Sequence, residues 1–105
     1  MDDRRNIELL NAIREVKGAT ATLWEYSSSL SELVLRVTWT GRFENLHLVL
    51  NGCCRIESSA TWSDVDFSIS ENDGVLILKD DGAAFLVECS FIRVMRDVPP
   101  LYESS

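Results

Sequence analysis

The chain has 105 residues, of which 46% are hydrophobic and 26% charged; these are the proportions of one ordinary globular domain, not of a disordered or fibrous chain. No apolar run approaches the roughly 18–20 residues of a membrane-spanning helix, the longest candidate being the strand-sized stretch Val75 to Leu78. The net charge is −7, and residues 60–105 carry nine acids against Lys79, Arg93 and Arg96; such a balance repels phosphate backbones and attracts a basic protein partner.

The opening residues Met1-Asp2-Asp3-Arg4-Arg5 lead into a charged helix and not into an apolar signal core, so a cytoplasmic protein is expected. From Asp2 to Lys17, Leu9, Ala12, Ile13 and Val16 recur at i, i+3, i+4 and i+7 and form one helical stripe. Acids at the first turn, Lys17 at the last and Gly18 as C-cap suit the helix termini. After Gly18 the period changes to two. Thr20, Thr22, Trp24 and Tyr26 alternate with Ala19, Ala21, Leu23 and Glu25, which predicts a strand with Trp24 and Tyr26 on one face. Ser27-Ser28-Ser29 supplies a turn, and Leu33, Leu35, Val37 and Trp39 form the returning strand of a hairpin.

A second reversal near Thr40-Gly41-Arg42 leads to Leu46, Leu48 and Leu50, alternating with Asn45, His47 and Val49. Asn51-Gly52 is the strongest two-residue hairpin signal, so Cys53 to Ser58 is expected to return beside that strand. Ser58 to Asp64 reads as a connection or an edge. Val65, Phe67 and Ile69 then alternate with Asp66 and Ser68. Glu71-Asn72-Asp73-Gly74 and Asp80-Asp81-Gly82 are turns flanking Val75 to Lys79, with Ala84 to Cys89 pairing back. Phe91 to Val98 is the last strand, ended by Pro99-Pro100, and 99–105 is a tail.

The expected fold is therefore a single domain over 1–105, α+β and mainly β. A helix (1–18) packs on an antiparallel sheet of about seven or eight short strands (19–98), arranged as a meander, a sandwich or a partly open barrel. The expected strand core is Leu23, Leu33, Leu35, Val37, Leu46, Leu48, Leu50, Ile56, Phe67, Ile69, Leu76, Leu78, Phe85, Val87, Ile92 and Val94.

Motifs for chemistry are sparse. His47 is the one histidine available to activate a nucleophile, and it would need Cys53, Cys54 or a serine within hydrogen-bond reach. The spacing of Cys53, Cys54 and Cys89 does not make a zinc site, and three free thiols fit a reducing compartment and a mainly structural role. No glycine-rich phosphate loop opens a helix, and the acidic turns lack calcium-loop spacing, so neither cofactor nor metal is expected. Asp64 with Asp66, expected on one strand face, and Asp80 with Asp81 are the available carboxylate pairs; solvated turn acids are their plainer reading. Trp24 and Tyr26, on a threonine-lined face, mark either a contact patch or the seat of the N-terminal helix.

The segment Trp24 to Gly52, with Leu33-Val34-Leu35-Arg36-Val37-Thr38-Trp39 followed by Asn45-Leu46-His47-Leu48, resembles small uncharacterised bacterial β-domains, some grouped with immunity proteins of polymorphic toxin systems. Leu78-Lys79-Asp80-Asp81-Gly82 and Phe91-Ile92-Arg93-Val94 are similar in style, and the N-terminal helix is the departure. The resemblance covers about two-thirds of the chain as a hydrophobic pattern and carries no site residues. The acidic balance and the aromatic face point to a non-enzymatic, acidic, protein-binding module, and the resemblance implies an immunity-like role for it. Its partner surface is expected to draw on Trp24, Tyr26, Asp64, Asp66, Asp80 and Asp81. Two other readings are a small ligand-binding or enzymatic domain with a pocket near His47, and a self-associating protein.

Overall fold

A computed structural model describes residues 3–29, 31–41 and 45–97. Among the described residues one helix, α1 (Asp3–Glu15), precedes nine strands: β1 (Thr20–Ser27), β2 (Glu32–Thr38), β3 (Asn45–Asn51), β4 (Arg55–Glu57), β5 (Thr61–Trp62), β6 (Ser68–Asn72), β7 (Val75–Asp80), β8 (Phe85–Cys89) and β9 (Phe91–Asp97). They form two antiparallel sheets with strand orders β5-β1-β2-β3-β9 and β4-β8-β7-β6. The predicted class is the observed one, as two sheets with a helix packed on them and not as a closed barrel. The helix described is neither long nor apolar enough to cross a membrane.

The helix is shorter than its apolar stripe predicts. It stops at Glu15, because the chain tightens into a turn in which the Gly18 amide donates to the Val65 carbonyl at 2.7 Å and the Val65 amide donates to the Ala19 carbonyl at 3.1 Å. Its stripe behaves as expected: Leu9, Ala12, Ile13 and Val16 are buried in the same cluster as Leu33, Leu35 and Val37 of β2 and Leu46, Leu48 and Leu50 of β3. Both three-leucine or leucine-valine rows lie on one face of the five-stranded sheet, as a period of two requires. Leu78, Phe85, Val87 and Cys89 close the core from the second sheet. The remaining expected core residues Leu23, Ile56, Ile69, Leu76 and Val94 are half-buried around that cluster.

The Asn51-Gly52 hairpin does not form. β4 pairs with β8 in the other sheet, and β9 lies beside β3 from Asn45↔Asp97 to Asn51↔Phe91. Gly52 does take a positive φ of +70°, but the flanking chain is captured elsewhere. The Cys53 amide donates to Ser31 and the Cys54 amide to Glu88, both at 2.9 Å, and the Ser90 amide donates to Asn51 at 2.8 Å. The chain thus changes sheets at Gly52, returns to the first with β5, leaves again for the β6-β7-β8 meander and comes back as β9.

Three smaller expectations also shift. β6 begins at Ser68, so Val65 and Phe67 are buried in the approach to the strand and Asp64 and Asp66 share no strand face. The Asp80-Asp81-Gly82 turn is a single 3-10 turn over Asp81–Ala83, and the left-handed residue after it is Ala84, at φ +55°. The Asp73-Gly74 turn does close a hairpin, with Asn72 opposite Val75 and both turn residues at positive φ. The expected strand end at Val98 and the tail 99–105 fall outside the described residues, as does Arg42 of the second reversal.

Candidate functional site

One face of the five-stranded sheet is core, and the other presents the alternate residues of the same strands. Glu32, Val34 and Arg36 of β2, His47 and Val49 of β3, and Phe91, Arg93 and Met95 of β9 share it by register. Pairing between β1 and β2 slips between Leu23 and Glu25, so Leu23 faces Leu35, Glu25 faces Val34, and Trp24 is the added residue of a β-bulge. That slip corrects the expected face assignment. Beyond the bulge Tyr26 stands opposite the core-side residue Leu33, whereas Trp24 joins the outer face. The two aromatics therefore do not share a face, and α1, packed on the core side, covers neither: Trp24 is 54% and Tyr26 48% exposed.

Trp24 is nonetheless held in place. The Arg36 guanidinium carbon lies 4.3 Å from the centroid of its ring, and the His47 ring centroid lies 6.5 Å away with the planes tilted by 48°. A guanidinium stacked on an indole contributes about 0.5–1 kcal/mol at an exposed site and, more usefully here, limits the rotamers of both side chains. Arg36 Nε is enclosed and finds no hydrogen-bond acceptor among the described residues. Around this stack lies a shallow depression of about 260 Å³ lined by Trp24, Glu25, Glu32, Val34, His47, Val49, Arg93 and Met95. Val49 is buried at its floor, Met95 is 47% and Phe91 39% exposed, and Arg93 reaches Glu32 at 3.8 Å. His47 is registered opposite Arg36 on one side and Met95 on the other, so the register that would bring Cys54 opposite it does not occur.

The four aspartates of the expected partner surface come together at a separate place. Asp64, Asp66, Asp80 and Asp81, with Ser68 and Gly82, line a depression of about 340 Å³ where β7 turns towards β8 and where the β5–β6 connection passes. Their roles differ. Asp64, Asp66 and Asp81 are exposed, whereas Asp80 is only 2% exposed, the one buried charged or polar side chain among the described residues. Its Oδ2 accepts from the Trp62 indole and from the Asp66 amide, each at 3.0 Å. Trp62 belongs to the first sheet and Asp80 to the second, so the carboxylate fastens one sheet to the other. Trp62 packs in turn on Phe67 and Phe85, the three ring centroids lying 5.0–6.2 Å apart. This is the geometry of a structural carboxylate, bound by two donors as a buried charge requires.

The thiols are spread by depth. Cys54 is exposed, Cys53 half-buried and Cys89 buried. Burial pushes Cys89 up to about 12, with Cys53 and Cys54 acting in the same direction, and burial likewise raises Cys53. A thiol that keeps its proton is a poor nucleophile and a poor metal ligand. Among the described residues no group of three or more His, Cys, Asp or Glu is placed to hold a metal ion.

What the sequence pattern missed is the outer-face company of Trp24. Arg36, Met95 and Arg93 come from two other strands, and only the β3–β9 pairing brings β9 beside His47. No family model matches the chain, and no curated protein and no solved structure is found to be similar to it.

Proposed function

We propose that the protein is a non-enzymatic binding module that holds another protein chain on the outer face of its five-stranded sheet. The observation carrying this is the pinned tryptophan. A bulge lifts Trp24 onto a sheet face on which Met95 and Phe91 are also exposed, and Arg36 stacks against it. A tryptophan held rigid beside an arginine, ringed by partly exposed apolar side chains, has the composition of a protein-contact anchor, since those residue types lose little entropy and much exposed apolar surface on binding. An immunity-like role is the form of this reading suggested by the sequence resemblance. Three free thiols fit a reducing cytoplasm, and the charge of −7 argues against nucleic acid as partner.

A photo-cross-linking amino acid at Trp24, compared with one at the exposed Glu57 of β4, tests the surface in cells of the source organism. Discrete protein adducts from position 24 and none from position 57 are expected. Equal labelling from both, or none at 24, counts against the outer face. The alternative of a ligand pocket at His47 is supported by the depression beside that ring. Its volume of about 260 Å³ falls short of the roughly 300–1,000 Å³ that enclose a small molecule, and this favours a flat protein contact.

A further inference from the structure

We propose that the occupant of this outer face is a second copy of the chain, packed sheet against sheet about a two-fold axis. The inference rests on the outer face being a contact surface and adds what it contacts. Two observations carry it, charge and area.

The surroundings of Trp24 are electrically balanced although the chain is not. Glu25 and Glu32 stand with Arg36 and Arg93 around the Trp24 depression, two of each sign, while the chain as a whole carries −7. A strongly basic partner has no excess of carboxylate to meet there; the aspartates Asp64, Asp66, Asp80 and Asp81 that would draw it in line a different depression. A patch holding both signs suits an isologous interface, since each copy can supply the complement of the same surface.

The area also suffices. β1, β2, β3 and β9 have seven or eight residues each. At about 4.8 Å between strands and about 3.3 Å per residue they offer a footprint of roughly 20 by 23 Å. Side chains standing off the sheet raise the accessible area above that footprint, so two copies bury on the order of 1,000 Å², the lower bound of a specific interface. Sheets meeting in this way pack about 10 Å apart, a distance that Trp24 and Met95 can span.

Sedimentation velocity of the full chain at increasing concentration tests this. A species of twice the 11.9 kDa chain mass is expected to grow in with concentration. Trp24→Glu, and independently Met95→Glu in case the first perturbs the bulge, should return it to the monomer with an unchanged far-UV circular dichroism spectrum. The dissociation constant should rise roughly 30-fold or more in either variant, as for a buried anchor. Ile7→Glu, on the exposed side of α1, should leave the dimer intact. A monomer at every concentration overturns the proposal, as does a dimer that Ile7→Glu dissolves and both sheet-face variants leave unchanged. A monomeric chain that still cross-links a different protein from position 24 removes the second copy and leaves the contact surface standing; absence of any cross-link removes both.

Discussion

Asp80 shows at the scale of one side chain how a charge becomes part of a core. Its carboxylate is buried at 2% exposure, yet two donors, the Trp62 indole and the Asp66 amide, converge on a single oxygen. Asp80→Ala strands both donors, and hydrogen bonds to a charged acceptor contribute about 1.5–3 kcal/mol each, not additively. A loss of about 2–4 kcal/mol is expected from urea unfolding followed by tryptophan fluorescence, and Trp62→Phe, which removes one donor only, should lose less. A lost stability within about 0.5 kcal/mol would show that the carboxylate fastens nothing. Cys89 has the opposite character, a neutral thiol kept neutral. Its folded value of about 12 lies above the ordinary 9.0, so the unfolded chain ionises first. Stability linked to this group is full below pH 9 and falls as pH rises from about 9 towards 12. Alkylation by iodoacetamide at pH 8 should accordingly modify the exposed Cys54 first, Cys53 more slowly, and Cys89 only once the chain is unfolded, as read by intact mass.

Between elements, the decisive positions are those where a strand signal is redirected. Gly52 sits at φ +70°, and a Cβ added there would come within 2.9 Å of the Ser90 Cβ and closer still to its hydroxyl. Gly74 is also left-handed, at φ +81°, but has nothing within 4 Å. Gly74→Ala therefore carries only the backbone term of about 1–2 kcal/mol, whereas Gly52→Ala adds a steric clash between the β3–β4 crossing and the β8–β9 turn. Thermal unfolding should show the larger drop in Tm at Gly52, and equal drops would mean that the two turns do not press on each other. The β1 bulge is the second redirection. Thr20 to Leu23 obey the alternation read from the sequence, and Glu25 onward are one residue out of phase with it. A period of two cannot reveal this, because the inserted Trp24 and its neighbours are all compatible with either face. The hairpin dipeptide Asn51-Gly52 failed for a related reason: it specifies backbone conformation at two residues, and the hydrogen bonds to the Ser31 and Glu88 carbonyls and from the Ser90 amide decide which strand the chain meets next.

For the whole molecule, charge and topology work at different ranges. At −7 two copies repel at long range, while the balanced charges around Trp24 offer contacts at short range. Salt screens the first over a Debye length of about 10 Å at 0.1 M and affects enclosed pairs less. Self-association should therefore strengthen, or at least hold, between about 0.05 and 0.3 M sodium chloride, whereas capture of a basic partner at the aspartate depression would weaken. Residue spacing was enough to find the helix stripe of Leu9, Ala12, Ile13 and Val16, the switch to a period of two after Gly18, the leucine rows of β2 and β3, and the mainly antiparallel class. These follow from the spacing of apolar side chains along the chain, a local property that any fold of this sequence must satisfy. Only the folded chain settles that β4, β5 and β9 exchange sheets, that the exposed Asp64, Asp66 and Asp81 from two connections gather beside the buried Asp80 carboxylate, and that Trp24 meets Arg36 and His47 on an open face. Each of these depends on which strand edge captures a distant segment, and the free energy of that choice lies in pairings such as β4 with β8 and β3 with β9, the latter between residues 40 or more apart, which no local spacing encodes.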